Sequence, residues 1–232
     1  MSRLRCSRFT LFVISLGAAG GWAADGAAPA WPNTFTARLE ALALLQTLNA
    51  ELLGHDSATV TLERWCSSHN MAPSPHIVAV RVRVDPKAPT DEQRQALRVS
   101  PADVVHYRHV QLSCGSLVLS EADNWYVPAR LTADMNRLLD TTDEPFGKVV
   151  RPLGFQRRTL SAELLWSSMP AGWELSSNPM GAQATPLRVP HEVLRHQAIL
   201  YTQSQQPFSA VVETYTNAIF DFGAWSAFLK RE

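Results

Sequence analysis

The sequence predicts an α+β domain, a single antiparallel β-sheet with helices packed on one side. Three observations carry this. Residues 36–53 (TARLEALALLQTLNAELL) repeat leucine close to helical period. Several later segments alternate apolar with polar residues or are rich in β-branched ones, as half-buried strands are. Strands also come in runs with few helices between them, which favours a sheet of hairpins over alternating βαβ units.

Taken in order, the first helix has Pro32-Asn33-Thr34 as a start signal and Gly54 as a stop. Thr59 to Trp65 (TVTLERW) reads as a strand from its β-branched content. Ile77 to Val84 (IVAVRVRV) alternates, with Val78, Val80, Val82 and Val84 on one face and Arg81 and Arg83 on the other. Pro86 to Gln95 reads as a polar, proline-marked connection. Val104 to Leu112 is a further strand, turned by Cys114-Gly115-Ser116 into Leu117 to Ser120, and Trp125 to Val127 forms another short strand. Thr132 to Leu139 reads as a second helix, capped by Thr132 or its neighbours. Phe155 to Trp166 is a strand. Ser167 to Pro190, rich in Ser, Pro, Gly and Met, is long for a plain loop and is expected to be mobile or to cover a site. Val193 to Thr202 and Phe208 to Thr216 form a terminal hairpin around SQQP.

The first residues read as a processing signal. Arg3, Arg5 and Arg8 precede an apolar run, Phe9 to Ala19, too short to span a bilayer, and small residues permit cleavage after Ala23. The expected organisation is a signal peptide over 1–23, a flexible lead-in over 24–32 and one domain over 33–232. The product is expected to be exported, periplasmic or secreted, with no stable membrane span after processing. The full chain balances 21 Lys plus Arg against 21 Asp plus Glu. Losing three arginines and no acid leaves the mature chain with 18 cations and a net charge of −3. That balance argues against a generally basic nucleic-acid binder. Export would leave Cys66 and Cys114 where disulfides are permitted, either bonded or as two buried apolar residues. No metal motif, phosphate loop or nucleophile elbow is present, so no metal or cofactor is expected.

Two residues stand out. On its strand Arg108 shares a face with Val104, His106, Val110 and Leu112, mostly apolar neighbours. A guanidinium entering such a region needs an anionic partner, either an internal carboxylate or that of a ligand. Glu213 lies in the β-branched stretch AVVETYT beside Val211 and Tyr215, paired with a base or aimed into a cavity where it could act as acid or base. The two could also satisfy one another. Pro145-Phe146-Gly147 offers a tight turn or a close backbone approach. The pair Arg157-Arg158 reads as a solvated face, and His106 and His109, three apart on a strand, cannot chelate together.

The order of these features resembles the chorismate pyruvate-lyase family, whose fold is shared by the UTRA-type effector-binding domains of transcription regulators. The resemblance runs from LLQTLN (Leu44 to Asn49) and TVTLERW through HYRHVQL, ADNWYVP (Ala122 to Pro128) and PFG to PFSAVVETY, roughly Arg38 to Ile219. It implies a small antiparallel sheet with a buried site under helical flaps. The family's substrate-binding arginine falls on Arg108 and its site glutamate on Glu213, the catalytic candidate. Phe146, Gly147, Asn124 and Leu48 fall at further ligand-binding positions. Asn124 stands where the family has a second arginine, which removes a cation from a dicarboxylate site. Chorismate is also a cytoplasmic metabolite that an exported lyase would rarely meet. Three functions follow as expectations: binding of a small aromatic or carboxylic ligand in a buried site, with or without turnover, an active lyase releasing pyruvate and 4-hydroxybenzoate, or a non-catalytic envelope module with a protein partner.

Overall fold

The computed structural model describes residues 31–176 and 181–222. The expected signal peptide and most of the lead-in lie outside these residues. The elements are α1 (Phe35–Leu53), α2 (Ala58–Ser68), β1 (Ile77–Arg81), α3 (Asp91–Leu97), β2 (His106–Cys114), β3 (Leu117–Tyr126), α4 (Ala133–Thr141), α5 (Phe146–Val149), β4 (Gln156–Leu164), β5 (Glu192–Tyr201) and β6 (Pro207–Thr216). The six strands form one antiparallel sheet in the order β1-β2-β3-β6-β5-β4. The α+β architecture is the one expected.

α1 packs its buried stripe Ala37, Ala41, Leu45, Leu48 and Leu52 into the main core, where it meets Leu62 and Trp65 of α2 and the sheet residues Val110, Leu112, Leu119 and Tyr215. Its N-cap is Thr34, whose hydroxyl accepts from the Ala37 amide. α4 begins at the expected cap, Thr132, whose hydroxyl accepts from the Met135 amide. β5 and β6 form the expected hairpin, in register with His196 opposite Glu213.

Four segments differ from expectation. Thr59 to Trp65 is helical, not a strand. Ser57 caps the helix by accepting from the Val60 amide, and Ala58, Leu62, Trp65 and Cys66 recur at helical spacing on its buried side. That periodicity outweighs the local β preference of Thr59, Val60 and Thr61. On β1 the buried face belongs to Ile77 and Ala79, while Val78 and Val80 face outward. The register pairs Ala79 with Leu112, and the Ile77 amide donates to the Glu63 carboxylate of α2, so this face turns towards the helices. The segment after Pro86 contains α3, opened by a capping box in which Thr90 and Gln93 bond reciprocally. β3 is continuous from Leu117 to Tyr126 instead of two short strands.

α3 goes to the other face of the sheet, where Leu97 packs with Trp125, Ile199 and Ala210. Cys66 of α2 and Cys114 of β2 are bonded, with α-carbons 6.2 Å apart. Among its described residues the 167–190 segment runs along the start of α1. The Ser168 hydroxyl donates to the Arg38 carbonyl, and the Gln183 and Leu187 amides donate to the carbonyls of Asn33 and Trp31. None of those residues lines the cavity described next. No described helix is long and apolar enough to cross a membrane.

Candidate functional site

A cavity lies between the helix-covered face of the sheet and a roof made by the first turn of α2 and by α5. Its floor is fixed by strand register. Arg108 on β2 is opposite Asn124 on β3, Asn124 is opposite Val211 on β6, and Ala122 is opposite Glu213. The period of two therefore puts Arg108, Asn124 and Glu213 on one face. Phe146 and Gly147 of α5 and Ser57 to Thr59 of α2 close the top. A Cβ at Gly147 would come within 3.2 Å of the Ser57 hydroxyl, so glycine lets the two roof helices meet closely. The cavity is small, about 50 Å3, room for roughly three to five waters at the ~10–15 Å3 each requires.

Arg108 is 2% exposed. One terminal nitrogen, Nη2, donates to the Glu144 carbonyl at 3.2 Å. Nε and Nη1 have no hydrogen-bond partner, and no carboxylate among the described residues lies within ion-pair distance. Burial lowers the Arg108 pKa, and the neighbouring Arg81 cation adds to that effect. A charge removed from water without a counter-ion costs several kcal/mol.

Glu213 is held by Arg157, not by Arg108. Arg157 Nη2 donates to Glu213 Oε2 at 2.6 Å, with side-chain exposures of 4% and 8%. The Tyr215 hydroxyl donates to the same oxygen at 3.0 Å. Burial works to lower the Arg157 pKa, but the Glu213 carboxylate bonded to it outweighs burial and the pKa rises. The Arg157-Arg158 pair thus splits. Arg158 is exposed as expected, whereas Arg157 is drawn into the site because β4 places it, with Phe155, on the covered face. Sharing a face with Phe155 was the signal in the sequence that could have identified it.

His196, opposite Glu213, extends the network. Its Nε2 lies 2.8 Å from Asn49 Oδ1 on α1, and its Nδ1 has no partner. Burial, then the nearby Arg157 cation, pushes its pKa down to about 4. Since the unfolded value is about 6.5, the imidazole is neutral in the native state while the unfolded chain takes up a proton as pH falls below that value. Stability is expected to be independent of this group above pH 6.5 and to fall as pH drops from 6.5 to 4. The urea midpoint followed across that window should show the loss, and His196→Gln should flatten it.

Of the sequence candidates, the cavity gathers Arg108, Glu213, Asn124, Phe146 and Gly147. Asn124 Oδ1 accepts from the Ser209 hydroxyl at 2.6 Å. Leu48 is a correction: it is fully buried in the main core and does not line the cavity, because the buried stripe of α1 points it between the helices. Its neighbour Asn49 makes the polar contact instead. Among the described residues no cluster of His, Cys, Asp or Glu could hold a metal ion.

The fold and site together define a single antiparallel sheet carrying a small buried cavity with one unpaired arginine. The chain belongs to the same family as the uncharacterized protein y4mC of Sinorhizobium fredii (strain NBRC 101917 / NGR234), with which it is 52% identical over 195 residues, 84% of this chain and 82% of that one. No family model matches the chain. Among solved structures it is similar to PhnF from Mycobacterium smegmatis, at 12% identity and a TM-score of 0.45, covering 74% of this chain and 67% of that one. The effector domain of PhnF gives 12% identity and a TM-score of 0.44, over 70% and 89% of the two chains. The possible transcriptional regulator YydK from Bacillus subtilis subsp. subtilis str. 168 gives 14% identity and a TM-score of 0.36 over 60% of this chain, which spans 58% of that one.

Proposed function

We propose that this protein is an exported, chorismate lyase-like binding protein that holds a small aromatic or other carboxylic ligand at Arg108 without turning it over. One observation carries the reading: a fully buried guanidinium with two N–H positions unpartnered, on the wall of a cavity. A ligand carboxylate would supply the missing charge and both acceptors. The apolar lining, with Val110, Leu112, Phe146 and Val211, matches the body of such a ligand in character, but at about 50 Å3 the cavity must widen to admit an aromatic ring.

The chemistry of the site argues against turnover. Glu213 Oε2 is already engaged by Arg157 and by the Tyr215 hydroxyl, so the carboxylate is tied into an internal network instead of standing free for a substrate. Asn124 supplies no second cation. Export is supported by the basic, apolar and small-residue pattern of residues 1–23 and by the Cys66–Cys114 bond, which suits an oxidising compartment.

The test is calorimetric titration of the mature protein with 4-hydroxybenzoate and with 4-hydroxybenzamide, its neutral counterpart. The acid should bind and the amide should not. Equal binding of the two, or binding of neither, would remove the carboxylate reading. Pyruvate formed from chorismate faster than the uncatalysed rate would overturn the absence of turnover.

A further inference from the structure

We infer that the anionic ligand reaches the cavity through an adjoining groove, and that Arg81 and Arg83 on the lip of the groove draw it in. This rests on the carboxylate reading above and adds the route and the residues that serve it. The residue pairing of β1 with β2 ends at Arg81, one last bond runs from the Val82 amide to the His109 carbonyl, and residues 83–86 continue outside the strand. The space between this segment, β2 and the end of α4 is a groove of about 560 Å3. Arg108 lines both the groove and the inner cavity and is the residue common to the two. Among the described residues its guanidinium is held by one carbonyl, that of Glu144, through Nη2, which leaves Nε and Nη1 to receive an anion.

The lip is charged for this task. Arg81 and Arg83 are exposed, and neither makes an ion pair with any described residue. Asp140 and Asp143 stand on the groove too, but with Arg108 the three arginines outnumber them. His109, the remaining titratable group besides Tyr107, is bonded to Asp123. The inner cavity also reaches the surface at the start of α2, and there the exposed lining group is the Asp56 carboxylate. An anion approaching that side meets a like charge, whereas at the groove it meets a surplus of cations. Clefts of one sign raise association rates, and salt weakens the effect.

The experiment is stopped-flow association of 4-hydroxybenzoate with the mature protein at low and at physiological ionic strength. The double variant Arg81→Gln/Arg83→Gln should associate roughly tenfold more slowly at low salt, with dissociation little changed and the salt dependence of association largely lost. Arg158→Gln, an exposed arginine on β4, controls for net charge and should leave both rates as they are. Circular dichroism confirms that the double variant is folded, and Arg81→Glu/Arg83→Glu should slow association further. Unchanged association in both double variants overturns the inference while leaving the carboxylate reading intact. So does faster association in Asp56→Asn, which would place the route over α2. A wild-type protein that binds no 4-hydroxybenzoate overturns both.

Discussion

Replacing Glu213 with alanine is expected to lower the free energy of unfolding by about 3–5 kcal/mol, because it strands a buried cation. The Arg157 side chain is 4% exposed, and its guanidinium donates to the Glu213 carboxylate. Removing the carboxylate leaves the buried guanidinium without a counter-ion on the cavity that Arg108 also lines, so two unpaired cations would share it. The Tyr215 hydroxyl loses its acceptor as well. Urea unfolding of Glu213→Ala reads the loss directly. Pairing the change with Arg157→Met should restore most of it, since an apolar pair of similar volume removes both charges from the interior. A single-variant loss below about 1 kcal/mol would show that Arg157 swings out to Asp56, whose carboxylate already accepts from the Arg157 amide.

Arg108→Met is expected to behave in the opposite way. It should abolish 4-hydroxybenzoate binding, weakening it by roughly 100-fold or more, because hydrogen bonds to a charged group contribute about 1.5–3 kcal/mol each and two are available. Its stability should be equal to that of the wild type or higher. The guanidinium bears the cost of burial with only the Glu144 carbonyl in return, and methionine fills similar space without a charge. Calorimetry and urea unfolding on the same sample separate the two effects. A destabilisation above about 2 kcal/mol would mean that the Glu144 contact is structural and that Arg108 is part of the scaffold. The contrast between the two variants is the signature of a binding residue kept at the expense of stability.

Both of these positions were legible in the sequence for the same reason. On a strand the side-chain period is two, so apolar neighbours at even spacing fix which face a polar residue shares. Val110 and Leu112 place Arg108, and Val211 and Tyr215 place Glu213. Phe155 marks Arg157 as lying on the covered face of β4, but its pairing with Glu213 was not legible. β4 is an edge strand, largely exposed, and Arg157 reaches Glu213 only because the strand order brings β4 beside β5 and β5 beside β6. That order is a property of the whole chain, beyond any local window. α2 was missed for a different reason, since a run of Thr, Val and Thr hid a helical repeat that the Ser57 cap could have flagged. The capping box at Thr90 was equally visible and announces α3.

The Cys66–Cys114 bond has a practical consequence for any search for the ligand. Cys66 lies in the last turns of α2 and the cavity lies under its first turn, so the bond bolts one end of a rigid rod to the strand that carries Arg108. With the bolt in place, exchange through the roof must come from the α5 side or from the free end of α2. With the bolt cut, the whole rod can tilt. Protein made in a reducing cytosol, or assayed with added thiol, is then expected to differ from the oxidised form at the roof of the cavity. Negative results from such a preparation would describe the cut form alone.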